Sequence, residues 1–359
     1  MELRFEAFTA QHHLDAQREL FRDCFPENIG TSVESEEHYR WKFHAFPATP
    51  PSYEYVAWDA EHRMLGYYAA LPFRYRYRGR TFTCGMVCDV MTHSHARGKG
   101  VFTKLGRYAT AQLQAQGLDF TTGYPIRPEV IPGHLKVGWK VMFDLPLRLK
   151  VLKSGAVLRK LRLSMLAPLV DGVLELLCML ARPRKQVGFE ASCFDFKVFA
   201  DLHRDGYERF YERWSSQREL ALEKSMEFLQ WRLGAPEARY QVISVRKNEE
   251  LVALSFVRET ILKDVPTLAI LDVMVLKDAP GALAALYLEM EHYARTRQLE
   301  TLSVMASGST SGRLSLTRYG FLRTPFTFKL IVKPLAGLAE MPLDSESAWD
   351  LMWMDSDDL

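Results

Sequence analysis

An α/β fold, built as two copies of one αβ unit, is predicted by three observations. Two apolar stretches flanking a polar turn occur twice, over Val56–Leu65 and Ile243–Val252, which is a hairpin pattern. An apolar stretch, Cys84–Met91, leads through a polar turn into helical periodicity over Val101–Gln116. Short motifs also recur in chain order at a slowly shrinking offset. Trp41 and Trp231 lie 190 positions apart, Val56 and Ile243 187, Asp89 and Asp272 183, and Gly138 and Gly320 182. Two diverged copies with small loop deletions give such a series.

Composition bounds the function. The chain of 359 residues is long enough for about two domains. Its 48% hydrophobic and 25% charged residues are those of a globular protein. Forty-six basic against 44 acidic residues leave a net charge of +2, so no bulk field for nucleic acid is expected and any basic site is local. Met1–Glu6 has no signal-peptide pattern, and no uninterrupted apolar run is expected to cross a bilayer. The five cysteines, 24, 84, 88, 178 and 193, show no CxxC pair and read as reduced thiols of a cytoplasmic protein. The ten histidines lack zinc-ligand spacing, so no metal is expected.

The chemistry is concentrated after the strand Cys84–Met91. Thr92–Ala96 makes a polar turn, Arg97-Gly98-Lys99-Gly100 follows, and the helix runs from Val101 to Gln116 with Gly117 as its stop. A helix start presents N–H groups without internal partners and a partial positive charge. Glycines let a phosphate approach closely, and Arg97 and Lys99 add full charges. A pyrophosphate is the natural ligand. The P-loop and dinucleotide patterns are excluded, because Gly100 follows Gly98-Lys99 and position 103 is Thr.

The run His95-Ala96-Arg97-Gly98-Lys99-Gly100 resembles the acyl-CoA loop of the GNAT acyltransferase superfamily, with His95 where Gln or Arg is usual. Downstream, Gly123-Tyr124-Pro125 and Pro132-Gly133-His134-Leu135-Lys136 before Gly138-Trp139 are similar to bacterial tandem-domain members of the Acetyltransf_9 or Eis-like kind. The resemblance implies tandem GNAT-like units, each a mixed, mainly antiparallel sheet flanked by helices. It also implies acetyl-CoA or a related acyl-CoA as co-substrate. The pantetheine arm would pair with the main chain of Val90, Met91 and Thr92, and Arg97, Gly98, Lys99, Gly100, Val101, Phe102 and Thr103 would surround the pyrophosphate. A small-molecule primary amine, an amino sugar among the options, would attack the thioester directly, with no Ser or Cys nucleophile. The alternatives are an aminoacyl or longer-chain acyltransferase near the membrane, or a non-catalytic CoA-binding scaffold.

Proton transfers need further groups. His134 stands where the superfamily often has a tyrosine, and either protonates the thiolate or packs at a helix; Tyr124 is the alternative acid. Asp89 lies beside the cofactor strand, but Asp272 repeats it where no such loop survives, which favours a structural role. His93 and His95 are acceptor-side candidates or loop polar residues, and Cys84 and Cys88 read as core.

The rest of the chain divides as a first unit at 1–148, a connector at 149–189, a second unit at 190–335 and an acidic tail at 336–359. The connector has no acidic residue from Leu145 to Val170, while Arg148, Lys150, Lys153, Arg159, Lys160 and Arg162 are basic. An apolar stretch, Met165–Leu180, is interrupted by Pro168 and carries Asp171 and Glu175. It reads as a packed helical connector with solvated basic residues, or as a basic amphipathic element giving weak peripheral membrane contact through 148–185. In the second copy, Pro280 and Ala282 replace Arg97 and Lys99, and Leu316 replaces His134, so no acyl-CoA site is expected there. Trp349 and Trp353 are expected to dock the tail.

Overall fold

In the computed structural model, residues 2–184, 186–236, 238–338 and 341–357 are described. Two compact units result, and neither is continuous in sequence. The first gathers Met1–Phe143, Glu227–Glu237 and Lys329–Asp344; the second gathers Asp144–Met226, Ala238–Phe328 and Ser345–Leu359. The duplicated stretches follow chain order, whereas the compact units trade strands.

The first half supplies β1 (Arg4–Ala7), α1 (Ala10–Cys24), α2 (Glu36–His44), β2 (Tyr53–Trp58), β3 (Met64–Tyr77), β4 (Arg80–Thr92), α3 (Val101–Ala115), β5 (Phe120–Gly123), α4 (Ile131–Lys136) and β6 (Lys140–Val151). The second half supplies α5 (Gly155–Lys160), α6 (Ala167–Ala181), β7 (Glu190–Asp195), α7 (Phe196–Leu202), α8 (Arg204–Ser216), β8 (Leu220–Leu222), α9 (Met226–Arg232) and β9 (Tyr240–Lys247). It continues through β10 (Glu250–Leu262), β11 (Val265–Val275), α10 (Pro280–Thr296), β12 (Thr301–Met305), α11 (Gly308–Arg313), β13 (Leu322–Pro334) and β14 (Trp349–Asp350).

In the first unit β1, β2, β3 and β4 pair antiparallel in that order, and β5 joins β4 parallel. The last residues of β13 close the sheet antiparallel to β5, with Ile331 opposite Gly123 and Pro334 opposite Phe120. The sheet core is set by α3, whose Val101, Leu105, Ala109 and Leu113 recur at helical spacing and are all buried. They pack with Tyr55, Tyr68, Val87 and Trp139, each large side chain contributing about 1.5–3 kcal/mol of burial.

The second unit repeats the plan as β7, β9, β10 and β11 antiparallel, then β12 parallel to β11. Its closing strand is β6, which pairs with β12 from Thr301–Val151 to Met305–Leu147. Each β5-type strand is therefore capped by a strand from the other half of the chain. The sheets are mixed and mainly antiparallel, as expected.

The connector needs two corrections. Lys150 is not a solvated base: it lies in β6, is 2% exposed and ion-pairs with Glu291. The apolar stretch is not broken at Pro168, because that residue falls in the first turn of α6, where a missing N–H breaks no helical hydrogen bond. Ser164–Ala181 is accordingly long and apolar enough to cross a membrane by length and composition, contrary to the expectation that no run would be.

Candidate active site

The site begins where two strands part. Cys84, Gly85, Met86 and Val87 of β4 pair with Phe120, Thr121, Thr122 and Gly123 of β5, and there the pairing stops. β4 continues to Thr92 and remains bonded on its other edge, with Met91 opposite Tyr67 and Thr92 opposite Gly66. A bulge marks the parting, because Asp89 and Val90 together oppose Tyr68, and Asp89 takes a φ of +47°. Val90, Met91 and Thr92 thus lie on a stretch whose β5-side edge has no strand among the described residues.

Beyond Thr92 the loop is fixed by α1. Asp23 accepts hydrogen bonds from the Ser94 N–H (2.6 Å) and hydroxyl (2.8 Å). Burial raises the Asp23 carboxyl, but the Ser94 hydrogen bonds and nearby His93 and Arg97 bring it below its ordinary range. Gly98 and Gly100 have φ of +76° and +80°, a left-handed conformation that side chains resist. Gly100 caps α3, and no side chain accepts from the helix start. The N–H groups of Val101, Phe102 and Thr103 are thereby presented beside exposed Arg97 and Lys99. The Thr103 hydroxyl turns back to the Gly100 carbonyl (3.1 Å). Backbone donors and the helix dipole lie next in sequence to two cations, the elements of an anion site, with the Arg97 guanidinium donating to the Thr92 carbonyl (3.4 Å).

The two acid candidates part company. Tyr124 follows directly on the last paired residue of β5, is 7% exposed, and its hydroxyl lies 3.4 Å from that of Tyr75. His134 is 5% exposed, packed edge-on against Phe102 and Trp139 with ring centres 5.0 Å away in both cases. Burial pushes its imidazole down to about 4, so it is neutral near pH 7 and holds no proton to donate as an imidazolium. The unfolded chain takes up a proton near 6.5 that the folded His134 refuses, so stability present above that pH is lost as pH falls toward 4. Replacing His134 with Phe is expected to flatten this acid limb by about 1–3 kcal/mol, read from urea denaturation at pH 7 and pH 4.5. An unchanged limb would remove the claim.

On the sheet face that carries α1 and α2, sequence reasoning missed a polar cluster. Lys42 of α2 pairs with Asp89 at the bulge (2.9 Å). Glu54 accepts from the hydroxyls of Tyr39 (2.8 Å), Tyr67 (2.5 Å) and Ser52 (2.7 Å). Burial pushes its carboxyl up, against those hydrogen bonds. The one available signal was the recurrence of Asp89 as Asp272, which pairs with Lys224 at 2.6 Å. Cys84 and Cys88 are buried as core, His93 accepts from the His95 N–H, and His95 is exposed.

The second copy keeps the parting and loses the site. Pairing of β11 with β12 runs from Thr267–Thr301 to Ile270–Val304, four pairs in register with the first copy, and β11 then continues to Val275 paired only on its other edge, with Val275 opposite Ala253 of β10. The chain's own tail lies at this opening. Met352 bridges to Ala306, just past β12, and the turn Trp353–Asp355 packs on β11. Trp349 and Trp353 are each 2% exposed, so the tail docks as expected. The glycine loop has become helix, since α10 already starts at Pro280. Among the described residues no group of three or more His, Cys, Asp or Glu side chains is placed to hold a metal ion.

Residues 8–142 match the acetyltransferase (GNAT) domain family. The fold is shared with a probable N-acyltransferase of Enterococcus faecalis V583 at 11% identity and a TM-score of 0.66, covering 93% of this chain and 73% of that one. A tandem GNAT protein of the clavulanic acid biosynthesis pathway gives 14% and 0.57, covering 93% and 99%. Saccharomyces cerevisiae N-myristoyltransferase with bound myristoyl-CoA gives 11% and 0.57, covering 93% and 79%. No curated protein matches in sequence.

Proposed function

We propose that this chain, whose residues 8–142 match the acetyltransferase (GNAT) domain family, is an acyltransferase that transfers the acyl group of acetyl-CoA to a primary amine of a small molecule. An amino sugar is the acceptor to try first. One observation carries the reading: β4 runs on past β5 and leads through the glycine loop to a helix start that no side chain caps. The edge of Val90–Thr92 that no strand pairs among the described residues suits the amide groups of a pantetheine arm, as an added strand would be suited. Arg97, Lys99 and the N–H groups of Val101–Thr103 suit its pyrophosphate.

The reaction balances without a covalent enzyme intermediate. The amine nitrogen attacks the thioester carbonyl carbon, the C–N bond forms and the C–S bond breaks. The amine gives up a proton, and the departing thiolate takes one. A backbone N–H of the parted strand stabilises the developing oxyanion. Tyr124, at the mouth of the opening, is the group we assign to protonate the thiolate. His134, neutral and packed, holds Phe102 and Trp139 in place.

Calorimetric titration with acetyl-CoA, followed by CoA-release assays on a panel of amines, tests this. Arg97→Glu is expected to weaken binding about 10- to 100-fold, the worth of a charge-assisted hydrogen bond. Tyr124→Phe is expected to lower turnover and leave binding intact. No binding, or equal binding by Arg97→Glu, defeats the donor site; binding with no turnover on any amine favours a scaffold. Octanoyl- and myristoyl-CoA in the same titration test the longer-chain alternative.

A further inference from the structure

Helix α6 is amphipathic in the reverse sense to an ordinary surface helix. Its two carboxylates face the second unit. Asp171 accepts from the Ser154 N–H (2.7 Å) and hydroxyl (2.6 Å), and Glu175 pairs with Arg295 (2.7 Å). Cys178, one turn on, is buried, with its thiol 3.5 Å from the Val151 carbonyl. Positions 171, 175 and 178 share one helix face. The opposite face carries Leu169, Val173, Leu176, Leu177 and Leu180, all exposed, with Leu169 at 71% and Leu180 at 76%. Met165, in the turn just before the helix, is 96% exposed. Only 6% of Ser164–Ala181 is buried. Apolar surface this continuous is unusual on a soluble protein unless something covers it.

Charge decides what covers it. Lys153 and Arg162 precede the helix, Arg182 and Arg184 follow it, and all four are exposed. None of the four forms an ion pair among the described residues, whereas Arg159 and Lys160 are already matched by Glu300 and Asp264. The helix's own carboxylates do not offset them, because Asp171 is bonded to Ser154 and the half-exposed Glu175 is matched by Arg295. A second copy of the chain, meeting this face symmetrically, would bring cations against cations. Anionic lipid headgroups would neutralise them while the acyl region received the leucines.

We propose that the outward face of α6 docks on an anionic lipid bilayer, lying in the plane of the interface. The helix does not cross, because Asp171, Glu175 and Cys178 hold it along the unit. At 1.5 Å per residue, Ser164–Ala181 lays about 27 Å of apolar edge on the membrane. The placement is independent of the acyl-transfer chemistry, and its test reads no activity.

Flotation of the full chain decides the matter, with vesicles of phosphatidylcholine alone and with 30 mol% phosphatidylglycerol, about a third of the lipid being anionic. The protein is expected to float with the anionic vesicles at 0.1 M salt and to be released at about 1 M salt, where the Debye length is near 3 Å. Leu176→Glu/Leu180→Glu is expected to cut the floated fraction at least about 10-fold, as charge replaces buried CH₂ groups. Arg162→Glu/Arg182→Glu is expected to shift release to lower salt. Circular dichroism of both variants should match the wild type, since all four side chains are exposed. A wild-type chain that stays unbound with anionic vesicles overturns the proposal. So does undiminished flotation of the leucine variant, or a wild-type dimer that this variant dissolves while flotation is absent.

Discussion

Lys224→Met is expected to destabilise the second unit by about 3–5 kcal/mol, the usual cost of stranding one partner of a buried ion pair. Lys224 and Asp272 are both fully buried and stand 2.6 Å apart. Burial alone would loosen the Lys224 proton, but Asp272, Asp355 and Asp350 hold it more tightly than usual. Burial pushes the Asp272 carboxyl up, and Asp355 is pushed up to about 7. Nearby, Arg218 and Arg313 both pair with Asp350 at 2.7 Å. Removing the ammonium leaves three buried carboxylates facing the buried Arg218 side chain and the more exposed Arg313. Urea denaturation measures the loss, and a melting point lower by roughly 2–4 °C per kcal/mol should accompany it. The double variant Lys224→Met/Asp272→Leu, which removes both charges, should recover most of the stability. A single variant within about 1 kcal/mol of wild type would show that the cluster rearranges instead.

This cluster also marks what the sequence could and could not disclose. Local patterns were legible. The hairpin at Val56–Leu65 forms with Trp58 opposite Met64, and the helix forms over Val101–Ala115. The glycine loop ends in left-handed Gly98 and Gly100, and the tail docks through its tryptophans. Each depends on residues close in sequence, or on amphipathic character that a single segment carries. Partnerships across the chain were not legible. Nothing in the local pattern sends β6 to β12 and β13 to β5. A basic residue reads the same whether solvated or paired, so Lys150 was placed on the surface although Glu291 meets it in the interior. His134 has a plausible chemical position, and only the packed rings of Phe102 and Trp139 reveal the burial that pushes its imidazole down. Pro168 reads as an interruption in the sequence yet sits harmlessly in the first turn of α6, because a proline's effect depends on which turn of the helix it occupies.

The duplication has a physical consequence at its best-preserved residue. Trp231→Ala is expected to cost the first unit about 3–5 kcal/mol, the range for deleting a buried aromatic ring. Trp41 and Trp231 hold the same position in the two copies, and they meet. Their rings stack 5.5 Å apart at 12°, and each indole N–H donates to the other's carbonyl, at 2.6 Å from Trp41 and 2.9 Å from Trp231. This is the reciprocity of a two-fold contact, made within one chain. Its energetics are not symmetric. Trp231 is 6% exposed and also packs edge-on against Phe46 (4.6 Å) and Phe73 (6.1 Å). Trp41 is only half-buried, so Trp41→Ala should cost less, about 1–3 kcal/mol. Trp231→Phe keeps a ring but strands the Trp41 carbonyl, and should fall near 1–2 kcal/mol. The contact reaches the site through α2, where Lys42, next to Trp41, pins Asp89 at the bulge of β4. Loosening α2 therefore loosens the strand edge on which acyl-CoA binding is proposed to depend. Thermal denaturation and acetyl-CoA titration of the three variants should then show stability and affinity falling in the same order, with Trp231→Ala the lowest in both. Full affinity in a Trp231→Ala protein that has lost the expected stability would sever that link.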